Sequence, residues 1–133
     1  MRTVFLDTVG LLALWDKSDQ WHPPADIAFQ SLSASGVRLV SSPFILLECG
    51  NAAARKPYRT AVDHLRQSLE HSGLLIIPTA NEWDEAWIGY CRGDGAGTGI
   101  VDQFSFLIMR RLAITEAFTN DRHFEAAGFV TLF

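Results

Sequence analysis

The stretch TVFLDTVGLLALW, residues 3–15, decides the fold. Thr3 to Leu6 is an apolar run of strand length, and Asp7-Thr8 then supplies the side-chain acceptors that cap a helix running through Trp15. Asp7 interrupts the apolar opening, and there is no basic region followed by a small-residue cleavage site. The segment therefore reads as a strand feeding a helix, not as a secretory leader.

The same alternation continues outward. Pro23-Pro24 suits the first turn of a helix from Ala25 to about Ala34, which Gly36 ends, and Val37 to Val40 reads as a second strand. Ser42 caps and Pro43 starts the helix FILLECGNAAAR, which Lys56-Pro57 interrupts. A helix from about Arg59 to His71, a third strand from Leu74 to Ile77 and a helix from Thr79 to Arg92 follow. Gly93 to Gly99 holds four glycines in seven residues and reads as a flexible loop at the entrance to a site. Ile100 to Leu112 is an apolar helix ending in Arg110-Arg111, then come a strand at Glu116–Thr119, a short helix near Arg122–Ala127 and a last strand at Phe129–Leu132. Strands separated by helices predict an α/β chain with an open, mostly parallel sheet of about four to five strands and helices on both faces.

The 133 residues, 48% of them hydrophobic, fit one domain spanning 1–133 with a substantial core, and exclude the disordered class. Eleven basic against fifteen acidic side chains give a net charge of −4, so nucleic acid is not held here by bulk positive charge. Contact with it would need a local basic patch or metal ions on the acids. Cys49 and Cys91 lack metal-site spacing and read as buried free thiols. No apolar stretch reaches the roughly 18 residues of a membrane span, which makes a cytoplasmic setting the expectation.

Four acids stand out by context. Asp7 follows TVFL, Glu48 interrupts FILLECG, Asp102 lies inside GIVDQFSFLIM, and Asp121 follows AFTN. Asp7 and Asp121 are also good helix caps, and that structural role explains either one alone equally well. Glu48 and Asp102 sit on apolar helix faces, where unpartnered charge is costly. Strand ends and the early turns of the helices that follow them overlook one crevice, so all four can converge. Converging carboxylates repel unless a cation is present, and an oxygen-only donor set selects Mg²⁺ or Mn²⁺. Such ions suit phosphodiester hydrolysis.

The segments FLDTVGLLAL, SSPFILLECGNAAAR, GIVDQFSFLIMRR and AFTNDRHFEAAGF resemble, in order and over nearly the whole chain, the motifs of PIN domains, and of VapC-type toxins in particular. The resemblance implies a PIN-like three-layer α/β/α fold and an Mg²⁺- or Mn²⁺-dependent endoribonuclease acting on RNA. It also implies a homodimer, a cognate VapB-like antitoxin, and Asp7, Glu48, Asp102 and Asp121 as the catalytic, metal-holding quartet. Two positions depart from the pattern. Val9 stands where many relatives carry Ser or Asn, and Gly99 where Ser is common, with Thr98 beside it as a substitute.

Other features have plainer readings. Thr119 either orients Asp121 or simply ends a strand, and Ser105 reads as a packing hydroxyl. Arg55, Lys56 and Arg59 form the densest basic cluster, a solvated surface or a guide for RNA or antitoxin. Trp83, Trp87 and Tyr90 recur at helical spacing and read as core or dimer interface, and His123 is not required by a carboxylate site. Two alternatives compete: a degenerate PIN domain that only binds, and an aspartate-nucleophile phosphatase or receiver. Against the phosphatase, Val9 occupies the place of its second Asp.

Overall fold

The computed structural model describes residues 1–133. Four strands, β1 (Thr3–Leu6), β2 (Arg38–Val40), β3 (Glu116–Phe118) and β4 (Val130–Thr131), form one sheet in the order β2-β1-β3-β4, every pair parallel. Val4, Phe5 and Leu6 are all fully buried although successive side chains point to opposite faces. Helices therefore cover both sides of β1, as an all-parallel sheet requires, giving the α/β/α layering expected from the sequence.

The helices are α1 (Thr8–Trp15), α2 (His22–Ala34), α3 (Pro43–Ala52), α4 (Arg59–Ser72), α5 (Ala80–Arg92), a single turn α6 (Asp94–Gly97), α7 (Ile100–Arg111) and α8 (Arg122–Ala126). The chain leaves β1 for β2 on one side and returns to β3 on the other, so the order reverses between β1 and β3. Open α/β sheets bind ligands at such a reversal, beyond the carboxyl ends of the strands.

Three local expectations need correcting. Leu74–Ile77 is not a strand: it makes one bridge, Leu75 with Ser41, just past the end of β2. Pro78 stops the ladder, and the Ile77 carbonyl accepts from the Arg111 guanidinium at 3.3 Å instead. Cys49 is buried but Cys91 is exposed. The glycines between α5 and α7 build a closed turn, with Gly93, Gly95 and Gly97 at φ near 70° and the Gly97 N–H donating to the Gly93 carbonyl.

Candidate active site

Gly10 fixes the entry of α1. A Cβ there would stand 2.0 Å from the Phe118 carbonyl oxygen, so only glycine lets the helix lie directly on the end of β3. That approach sets Asp7 beside Thr119. Asp7 caps α1, accepting from the Val9 N–H at 3.4 Å, and its Oδ2 accepts from the Thr119 hydroxyl at 2.8 Å. Thr119 in turn accepts from the Asp121 N–H at 3.1 Å. Both Asp7 and Thr119 are buried.

Glu48 projects from the second turn of α3, whose start Ser42 caps through the Ile45 N–H. It is exposed, and the Thr8 hydroxyl donates to its Oε1 at 2.6 Å. Asp102 lies half-buried in the first turn of α7. Asp121, also half-buried, caps α8 and accepts from both the N–H and the ring Nδ1 of His123 at 2.9 Å. Ligand atoms of Asp102, Asp121 and His123 lie within 4.8 Å of one another.

The four carboxylates share one field. Burial pushes the Asp7 carboxyl up to about 7, and the negative charges of Asp102 and Asp121 add to this against the opposing Thr119 hydrogen bond. Burial likewise raises Asp102 to about 6, helped by Asp121 and Glu48. None of the four forms an ion pair with lysine or arginine; the His123 ring lies against Asp121. A cluster of carboxylates that repel one another, with no lysine or arginine to balance them, matches the donor chemistry of a hard divalent ion.

No family model matches the chain. It is 28% identical to the 23S rRNA-specific endonuclease VapC20 of Mycobacterium tuberculosis over 138 aligned positions, covering 96% of this chain and 95% of that protein. The crystal structure of M. tuberculosis VapC20, described as a sarcin–ricin loop cleaving toxin, superposes with a TM-score of 0.74 over 96% of each chain. In sequence and in fold the chain is similar to a VapC-type PIN toxin. FitAcB from Neisseria gonorrhoeae, 14% identical with a TM-score of 0.65 over 98% of this chain and 96% of that one, shares the fold.

Asp7 and Asp121 cap helices and also lie beside the other acids of the cluster. Sequence reasoning missed who supports whom. Thr119 serves the Asp7 carboxylate as well as the Asp121 backbone, and Thr8 steers Glu48. The threonine at the end of the AFT run was the available signal for the first; nothing local announced the second. His123, set aside in the sequence, stands in the cluster. Thr98 does not replace a serine near Asp102, since its hydroxyl donates to the Asp94 carbonyl at 2.9 Å. Ser105 is a packing hydroxyl, bonded to the Val101 carbonyl. Trp83, Trp87 and Tyr90 are about half exposed and so do not belong to the core.

Proposed function

We propose that the chain is an endoribonuclease, the toxin of a VapBC-like toxin–antitoxin pair, and that it hydrolyses RNA at Asp7, Glu48, Asp102 and Asp121 with Mg²⁺ or Mn²⁺. The observation that carries this reading is the convergence of these acids at the β1/β3 reversal without a lysine or arginine to balance them. The nuclease and toxin descriptions of VapC20 support it.

Asp7, Asp102 and Asp121 would hold the ion, with Glu48 at the solvent side. An ion held there would supply Lewis acidity, lowering the pKa of a water and balancing charge on phosphate. The chain's own residues do the positioning. Thr119 fixes the Asp7 carboxylate and the backbone of Asp121, Thr8 fixes Glu48, and His123 restrains Asp121. These supports act on the donors as outer partners do in metal sites generally. Ribosomal RNA, the target named for VapC20, is the substrate class to try first.

Two partners complete the reading. A groove of about 530 Å³ lined by Leu14, Trp15, Phe29, Leu39 and Leu65, with no acidic lining residue, suits apolar side chains of an antitoxin segment. The exposed strip of Trp83, Trp87 and Tyr90 suits a second copy of the chain. No helix is long and apolar enough to cross a membrane, and we place the protein in the cytoplasm with its RNA.

Partner-free protein incubated with RNA should yield fragments with Mg²⁺ or Mn²⁺ and none in chelator. Cleavage that survives Asp102→Asn would overturn the assignment of the site. Growth arrest on expression, relieved by co-expression of a cognate VapB-like antitoxin, tests the toxin role.

A further inference from the structure

α8 is five residues long, and one side chain locks it in place. Phe124 is fully buried, its ring 4.9 Å from that of Phe106 and 6.4 Å from that of Phe129. His123, next to it, is thereby turned to the open side, with 46% of its side chain exposed. The imidazole folds back on its own cap. Its Nδ1 stands 2.9 Å from Asp121 Oδ1, the oxygen that also accepts the His123 backbone N–H at 2.9 Å. A positive charge on the ring acts on Asp102 too, favouring the ionised carboxylate there.

The spacing is that of a coordination shell. Donors bonded at about 2.0–2.1 Å to one six-coordinate ion stand about 3 Å apart when adjacent and about 4 Å apart when opposite. Asp121 Oδ1 and His123 Nδ1 are 2.9 Å apart, and ligand atoms of Asp102, Asp121 and His123 all fall within 4.8 Å of one another. No other histidine joins two carboxylates in this way. The Nδ1 of His22 is bonded to the Ala13 carbonyl at 2.9 Å, and His64 and His71 belong to α4.

A neutral imidazole carries a proton on one ring nitrogen and a lone pair on the other. The ring that restrains Asp121 therefore also has a lone pair to offer a cation. Nitrogen changes which cation is favoured. Mg²⁺ is hard and gains little from imidazole, whereas first-row transition ions accept it more readily. Carboxylates alone give no such bias.

We infer that His123 is a direct ligand as well as a restraint on Asp121, and that its ring nitrogen makes the site take Mn²⁺ in preference to Mg²⁺. The inference rests on the ribonuclease reading above, which treats the two ions alike. Its test reads the shell of the ion and needs no RNA. Pulsed electron paramagnetic resonance of Mn²⁺ bound to the full chain should show coupling to a ring nitrogen. The pattern should change when the protein is made with nitrogen-15-labelled histidine, and the coupling should vanish in His123→Asn. Calorimetric titration of that variant should show Mn²⁺ binding weakened about 10-fold and Mg²⁺ binding changed by less than about 3-fold. If His123→Asn fails to fold, the isotope comparison in the wild type decides alone. Bound Mn²⁺ without nitrogen coupling, coupling that survives His123→Asn, or equal losses for the two ions overturn the ligand role and leave the ribonuclease reading standing. A wild type that binds neither ion and cuts no RNA with either overturns both.

Discussion

Two buried acids in this molecule have opposite neighbours. Glu82, on α5, is paired with Arg111 at 2.9 Å and completes a capping box with Thr79. Burial pushes its pKa up, but the Arg111 and Thr79 hydrogen bonds outweigh that and hold it below the ordinary 4.5. Asp7 is buried as well, has no cationic partner, and is driven up to about 7. An acid with its counter-charge built in secures the fold. An acid without one is held at a cost to the fold, and the location of that cost marks the site.

The largest test of this contrast is Asp7→Asn. It keeps the shape and the Thr119 hydrogen bond while removing the charge. RNA cleavage should fall about 1,000-fold, roughly 4 kcal/mol in the barrier, while the metal-free protein melts no lower at pH 8 than the wild type. A marked loss of stability would place Asp7 with Glu82 as a structural acid.

Next in size is pH. Asp7 and Asp102 bind protons more tightly folded than unfolded, so metal-free stability is greatest near their ordinary 3.8 and falls as pH rises through about 6 and 7. A loss on the order of 3 kcal/mol between pH 4 and 8 should appear in thermal melts, and Mn²⁺ at pH 8 should reverse it. Glu82 has the opposite sign: its contribution is present above its unfolded value and lost only as pH falls below about 4.5. A melting profile that rises steadily from pH 4 to 8 without metal would break the comparison.

Glu82→Ala should cost about 2 kcal/mol, from the lost cap and the unpaired Arg111, itself partly exposed. Denaturant midpoints measure this, and the rate of cleavage by the folded fraction should stay near that of the wild type. The smallest effect is expected from Thr119→Val, which removes a hydroxyl but little volume. Metal affinity should weaken about 10-fold by calorimetric titration, since Asp7 loses the hydrogen bond that favours its charged form. Unchanged affinity would show that Thr119 only packs.

Much of this was legible in the chain because strands that end in acids and lead straight into helices put caps and site in the same places. Asp7 and Asp121 could be located from TVFLD and AFTND alone, and Ser42-Pro43 set the phase of α3 that carries Glu48. What stayed hidden is non-local. Thr119 meets Asp7 across 112 positions, Thr8 meets Glu48 across 40, and Arg111 meets Glu82 across 29. Leu74–Ile77 has the composition of a strand, yet only Ser41 offers it a partner, so pairing and not propensity decided its fate. Cys91 and the α5 aromatics look apolar enough to bury, yet Cys91 is exposed and the aromatics stay about half exposed, even though Trp83 packs on Phe44 and Phe104.

The close seat of Gly10 on Phe118 has a consequence for timing. Chains leave the ribosome N-terminus first, so α1 emerges long before the strand it must rest on. While β3 is still unmade, Asp7 has neither Thr119 to orient it nor the charge of Asp121 beside it. A site built this way stays incomplete until that late strand slides into the middle of the sheet.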